Sequence, residues 1–370
     1  MKASCNREHL LAALQVVGTI APQRSPKPIL QAVKLVFAAD GAVALATDLE
    51  VGVRYRVDGV RVEEPGEMLL PAVRATSILR ELSDQELYLE ATATHVLIRG
   101  AHSEFKLPAE DPAGFPAIPE FSETGYWTVP SGALREMIRR TIFATDVESS
   151  RYALNGLLLE LEPKRLGLIG TDGRRLALMR RPAKTVGNPE SSTPGPVAPA
   201  KAMSLIDKSL QPGDDEVALA VRQNDLLAKS ARALVCGRLL EGRFPKYQDV
   251  FPDRVEIRVD LTVGPFLAAL RQAAIVTSDE SRGVTLKFSQ GTLRLDAQAA
   301  DVGQSRVELP ISYDGKPLEA AFDPRYLIDM LRVLGEEAAV TAEFVDGDSA
   351  AVFRTTDGYA YVVMPLTKER

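Results

Sequence analysis

The feature that most constrains this chain is that it repeats itself. Six short segments carry apolar residues at helical spacing and recur in a regular order. The first runs from Arg7 to Val17, with Leu10, Leu14 and Val17 on one side. The third starts near Ser131 and carries Leu134, Ile138 and Ile142. The fifth starts near Thr262 and carries Phe266, Leu267, Leu270 and Ala274. Their starts lie about 125–130 residues apart. Each is followed by strands, then by a second helix, expected over Ala72–Leu82, Lys201–Leu210 and Pro324–Leu334. Asp323-Pro324 is a strong helix start, because Asp caps free amides and Pro fits the first turn. The intervening stretches are short and β-branched, such as Ala32–Phe37, Gly156–Leu161 and Val284–Phe288. Asp40-Gly41, Gln290-Gly291 and Asp357-Gly358 mark hairpins among them.

These units pair into three α+β domains, each of two helices plus antiparallel sheets, expected over 1–122, 126–252 and 254–370. The breaks fall where Pro and polar residues cluster, near Glu120–Tyr126 and Pro252–Arg254. Gly187–Pro196 is rich in Pro and Ser and reads as an exposed loop inside the second domain. Chance likeness among amphipathic β-α units is the competing reading.

No run of residues approaches the ~18 apolar positions of a membrane helix, and Met1–Glu8 holds no apolar signal-peptide core. Cys5 and Cys236 form neither a disulfide framework nor a zinc site. A cytoplasmic protein that meets no membrane is expected, with no metal or cofactor. The formal net charge is −6, which by itself disfavours nucleic acid. Its distribution is more informative: the six helices, counted with Asp323, sum to about +5 and leave about −11 elsewhere. Lys201 and Lys208, Arg325 and Arg332, and Arg135 and Arg139 each share a helix face. Such faces could hold a phosphate backbone without reading bases, or could simply be solvated.

Catalysis leaves no signature. His9, His95 and His102 are isolated, and neither a phosphate-binding loop nor a dinucleotide fingerprint is present. Thr47-Asp48 recurs as Thr171-Asp172 at equivalent places after a strand, which fits a turn better than a catalytic carboxylate. At this point an enzyme on a repeated β-rich scaffold, a DNA-binding tether and a scaffold that only presents peptide pockets all stay open.

Ordered strings narrow the choice. Arg151-Tyr152-Ala153-Leu154-Asn155-Gly156, Thr171-Asp172-Gly173-Arg174-Arg175-Leu176-Ala177, Glu241-Gly242-Arg243-Phe244-Pro245-Lys246-Tyr247 and Tyr361-Val362-Val363-Met364-Pro365-Leu366 follow one another along the chain. Together with Ala46–Glu50, Phe115-Pro116 and Ser281–Val284, they closely resemble the bacterial sliding clamp family, the beta subunits of DNA polymerase III. The resemblance covers essentially the whole chain.

It implies a non-catalytic processivity factor, each chain forming half of a closed ring through head-to-tail homodimerisation, with duplex DNA in a helix-lined hole. Partners would be the replicative polymerase catalytic subunit, the clamp loader and other proteins with a clamp-binding motif. The peptide pocket would use Leu154, Thr171, Gly173, Arg174, Arg175, Leu176, Pro245, Val250, Tyr326, Val362, Val363, Met364, Pro365 and Leu366. Aliphatic walls and an adaptable Met would take the anchor residue, and Arg175 would orient the peptide. DNA contacts would come from Arg24, Arg74, Arg80, Tyr152 and Lys201. The subunit joint would set Phe105 and Leu107 against Ile275 and Val276. Three departures stand out. Asp249 replaces a basic residue common in the pocket loop, and Ala153 replaces an aromatic. Glu104 and Arg306 suggest a joint whose charge polarity is inverted, so that these two attract.

Overall fold

The computed structural model describes residues 1–146, 153–190, 194–210 and 215–366. Among them are six α-helices of nine residues or more: α1 Arg7–Val17, α2 Ala72–Glu81, α3 Ser131–Thr141, α4 Ala200–Ser209, α5 Val263–Ala273 and α6 Pro324–Arg332. Each lies where the periodicity predicts, with small differences at the ends. Leu82 and Leu210 fall one residue past their helices, in extended conformation and buried. α1 starts at Asn6, whose side chain accepts from the Glu8 and His9 amides. α6 starts at Asp323, which accepts from the Arg325 amide ahead of Pro324.

Where the repeat suggests three domains, the chain packs into two compact units. Unit 1 comprises residues 1–135 and 183–239; unit 2 comprises 136–182 and 240–370. The division runs through α3 and between Pro182 and Ala183, inside the middle repeat, and again at Leu239, where the segment leading to the third repeat begins. Strand pairing explains it.

In unit 1 a nine-stranded sheet runs in the order Lys184–Val186, Tyr126–Pro130, Glu216–Val221, Asp225–Lys229, Ala233–Arg238, Val51–Val57, Gly41–Thr47, Ala32–Ala38, Gly66–Pro71. Its middle is the antiparallel register Ala233↔Tyr55 to Gly237↔Val51, which joins the second repeat to the first by backbone hydrogen bonds. A second, five-stranded sheet ends at the edge strand Glu104–Pro108. α1 packs against α2 and α4, burying Leu10, Ala13, Leu14 and Val17. Arg7 ties the start of α1 to the end of α2 through the Leu79 carbonyl, 3.0 Å away.

Unit 2 repeats the device. A continuous sheet passes through Gly156–Glu162, Arg165–Thr171, Arg175–Pro182, Tyr359–Val363, Ala351–Arg354, Ala339–Phe344 and Ile257–Thr262. The register Arg175↔Val363 to Met179↔Tyr359 joins the second repeat to the third. A four-stranded sheet ends at the edge strand Gly303–Pro310. α5 and α6 pack together, and the core holds Phe266, Phe288, Phe322, Phe344, Phe353, Tyr359 and Tyr361, all almost fully buried. Each side chain of this size contributes about 1.5–3 kcal/mol by leaving water.

Candidate functional site

The site is built on the turn between strands Arg165–Thr171 and Arg175–Pro182. Thr171 Oγ1 donates to the Arg175 carbonyl at 2.6 Å and accepts from the Gly173 amide at 3.1 Å. Asp172 Oδ1 accepts from both the Arg174 and Arg175 amides at 2.9 Å. This closed set of bonds puts Gly173 at φ +85°, a left-handed conformation that suits glycine. The recurring Thr-Asp pair is therefore turn chemistry in both repeats. Thr47 and Asp48 make the same bonds to Val51 O and to the amides of Leu49, Glu50 and Val51.

The turn in unit 2 pins the C-terminal segment beside it. The Met364 amide donates to the Arg174 carbonyl at 2.9 Å, and the Leu366 amide to the Ala321 carbonyl at 2.7 Å. Both side chains are left out in solvent, Met364 48% and Leu366 38% exposed. Beneath them Thr171, Leu176, Val362 and Val363 are buried, Leu176 opposite Val362 in the strand register. Leu154 is also buried, at the start of Gly156–Glu162. Pro245 and Val250 stand exposed on a linker segment, which Tyr247 anchors by bonding Arg180 Nη2 and Glu160. Asp249 is exposed on the same segment, and Ala153 is buried. The residues expected to form a pocket thus separate into a buried floor and an exposed aliphatic rim.

The Arg175 guanidinium is hydrogen-bonded within unit 2. Its Nε donates to Asp172 (3.0 Å), Nη1 to Asp329 (2.8 Å) and Nη2 to the Phe143 carbonyl (2.9 Å). The guanidinium also stacks over Tyr326, 4.7 Å from the ring centre, and over Phe143 at 5.4 Å. Only 11% of the side chain is exposed. Burial works against its charge, but Tyr361, Asp329 and Asp172 outweigh it and raise its pKa. With its donors used internally, Arg175 holds the turn and α6 in place. The guanidinium open to solvent is that of Arg174. Tyr326 and Pro365 are half-buried between floor and rim.

The candidate DNA contacts are scattered by sequence and mostly open. Arg24 is exposed in the loop after α1, and Arg74 and Arg80 are exposed on α2. None of the three has an ion-pair partner among the described residues. Lys201, at the start of α4, is bonded to Asp48. Tyr152 lies outside the described residues. Several cations in the charge count already have partners: Arg135 pairs with Asp207, Arg140 with Glu136 and Asp357, and the exposed Arg325 with Asp323. Conversely, Lys208 and Arg271 are exposed with no ion-pair partner among the described residues. Sequence spacing placed Lys208 on the Lys201 face, a signal that could have singled it out.

Phe105 and Leu107 lie on an edge strand with one side unpaired, whereas Ile275 and Val276 lie in a short 3-10 turn after α5, beside the edge strand Gly303–Pro310 that carries Arg306. On Glu104–Pro108, Leu107 is buried and Phe105 half-buried. Close to Gly303–Pro310, Ile275 is 76% exposed and Val276 half-buried. Ser305 Oγ ties that edge to the end of α5 through the Ala273 carbonyl. Glu104 pairs with Arg99 at 3.0 Å and Arg306 with Asp296 at 3.3 Å, so each already has a partner on its own sheet.

Among the described residues no group of three or more His, Cys, Asp and Glu could hold a metal ion. No helix there is long and apolar enough to cross a membrane. Two continuous sheets that each join successive repeats, and an exposed aliphatic rim over a hydrogen-bonded turn, define a repeated β-rich scaffold.

Comparison with known proteins gives that class its family. Three family models match in tandem: the N-terminal domain of the DNA polymerase III beta subunit over residues 1–119, the central domain over 128–246 and the C-terminal domain over 248–367. The chain belongs to the DNA polymerase III beta subunit family. It is 30% identical to the beta sliding clamps of Escherichia coli and Pseudomonas aeruginosa, in each case over 99% of this chain and 100% of the relative. The structure superimposes on that of the P. aeruginosa sliding clamp solved with griselimycin bound, with a TM-score of 0.90, 29% identity and 99% of each chain covered.

Proposed function

We infer that this chain is a DNA sliding clamp, a processivity factor that tethers a replicative polymerase to duplex DNA and has no catalytic activity of its own. The observation that carries the reading is the tandem match of three clamp domains along nearly the whole chain. The domains would be 1–122, 126–252 and 254–370. Two copies would close head to tail, the Glu104–Pro108 edge of one extending the sheet that ends at Gly303–Pro310 in the other. Phe105 and Leu107 would pack against Ile275 and Val276. The charges of Glu104 and Arg306 would add little, since each is held on its own sheet and exposed pairs contribute about 0–1 kcal/mol.

DNA would pass through the ring, held by topology and by weak phosphate contacts from Arg24, Arg74, Arg80, Tyr152 and Lys201, with Lys208 and Arg271 added. Such contacts are sequence-neutral and salt-dependent, which suits a protein that slides. The rim of Met364, Leu366, Val250 and Pro245 over the Leu154, Thr171, Leu176, Val362 and Val363 floor would take an aliphatic anchor. Gly173, Arg174, Tyr326 and Pro365 would shape the entrance. The polymerase catalytic subunit, the clamp loader and other proteins with the same motif would dock there, in the cytoplasm. The experiment is retention after loading by a clamp loader. A ring stays on circular DNA and leaves once the circle is cut; equal retention on both forms would refute it.

A further inference from the structure

Unit 1 contains the same backbone device as the groove of unit 2, with different side chains on it. Thr47-Asp48-Leu49-Glu50-Val51 forms the turn that Thr171-Asp172-Gly173-Arg174-Arg175 forms in unit 2, bond for bond. The Arg238 amide donates to the Glu50 carbonyl at 2.8 Å, as the Met364 amide does to Arg174 at 2.9 Å. Leu49 sits at φ +80° where Gly173 sits at +85°. A leucine in this conformation costs about 1–2 kcal/mol, and the residue is 52% exposed, so only part of that cost is offset by burial. Residues held in sparsely populated backbone conformations cluster at functional sites, ligand clamps among them.

Beside Leu49 lies a groove of about 440 Å³, within the size range of small-ligand sites. Leu49, Val51, Ile118 and Pro119 line it, and Glu50, Asp225 and Arg238 are among its polar groups. Neither carboxylate has an ion-pair partner among the described residues, and the one cation, Arg238, stands against two anions. The sign is opposite to that of the unit 2 turn, where Arg174 occupies the place of Glu50.

We propose that this groove is a second peptide-docking site, taking an extended segment with an aliphatic anchor and an adjacent Lys or Arg. It goes beyond the role assigned to the unit 2 groove and borrows only its backbone geometry. Two turns of one geometry with opposite charge at the fourth position, Glu50 and Arg174, would sort partners by the residue flanking the anchor.

The test uses the full chain and an array of capped hexapeptides whose central anchor is Leu, Ile, Met or Phe and whose flanks are either Lys or Glu. Binding is read by fluorescence anisotropy on the native chain, on the double variant Met364→Lys, Leu366→Glu and on Glu50→Lys. Lys-flanked peptides are expected to bind the native chain and the double variant alike. They should lose about ten-fold on Glu50→Lys, an exposed position that leaves the fold intact. The proposal is overturned if no Lys-flanked peptide binds at millimolar concentration, if Glu-flanked peptides bind equally, or if Glu50→Lys changes nothing. Loss of Lys-flanked binding in the double variant alone would place the peptide in the unit 2 groove and also overturn it. Failure of the polymerase-docking reading looks different, because polymerase peptides would then bind the double variant unchanged.

Discussion

In unit 1, strand Val51–Val57 runs beside Ala233–Arg238; in unit 2, Arg175–Pro182 runs beside Tyr359–Val363. Both junctions enter through a Thr-Asp turn, and both are followed by a linker with a Phe-Pro pair, Phe115-Pro116 and Phe244-Pro245. Two residues beyond each pair a large side chain is buried, Ile118 in one and Tyr247 in the other. The differences lie in how the first strand residue is satisfied. Val51 is simply buried at 1% exposure, whereas Arg175 carries charge into a similar place and needs two carboxylates, a carbonyl and two aromatic faces to hold it there. The same backbone can thus be closed by an apolar residue or by an ionic network. The ionic version reaches across the junction to α6, while the apolar one does not.

Removing Arg175 should break this comparison hardest. Arg175→Ala leaves Asp172 and Asp329 without their shared cation and should destabilise unit 2 by about 3–5 kcal/mol. Because two units need not unfold together, the readout is hydrogen exchange in Tyr359–Val363. Val51→Ala should cost only about 1–2.5 kcal/mol, read in Ala233–Arg238. Equal losses at the two junctions would mean that the Arg175 network is ornamental.

Next in size is the rim. Met364→Lys combined with Leu366→Glu places charges where an aliphatic anchor would seat, and should cost polymerase-derived peptides about 2 kcal/mol or more, roughly 30-fold. Elution of the protein on size exclusion should not move. The turns offer a smaller effect. A methyl group at Gly173 would meet nothing within 4 Å, so Gly173→Ala should cost about 1 kcal/mol from backbone strain alone. Ligand binding aside, melting of unit 2 would report it; a cost near zero would show that Leu49 is not strained either.

The last prediction concerns acid. Asp357 accepts from Arg140 at 2.6 Å and from Arg181 at 3.2 Å, drawing the second repeat to the third. Burial pushes its pKa up, but bonds from Thr355, Arg140 and Arg181 prevail and lower it to about 2. Its folded pKa is below the ordinary 3.8, so its contribution is complete above pH 3.8 and is lost as the pH falls through about 2. In denaturant titrations from pH 5 to pH 2, Asp357→Asn should flatten the acid slope of unit 2 and leave its stability at pH 2 nearly that of the parent chain.

Much of this molecule was legible from residues alone. Helix positions follow from apolar spacing, since Leu10, Leu14 and Val17 can share a side only at 3.6 residues per turn. Asp323-Pro324 announced α6, and the recurrence of Thr-Asp announced two equal turns. The family resemblance named the Met364 and Leu366 rim, which apolar residues near a terminus could not have named by type. What stayed hidden depended on partners far away in sequence. Arg135 and Arg140 enter the helix charge sum and Arg175 the expected pocket, yet they bond to residues 72, 217 and 154 positions distant, which no local spacing records.

The boundary between the compact units was hidden for the same reason. Linker composition marks where the repeats end, but backbone pairing of Ala233–Gly237 with Val51–Tyr55 and of Arg175–Met179 with Tyr359–Val363 fuses the sheets across those ends. Periodicity, capping and turn chemistry are local and can be written in a few consecutive residues. Which strand edges meet, and which charges are thereby buried against one another, is decided only when the chain folds over distances that no local pattern records.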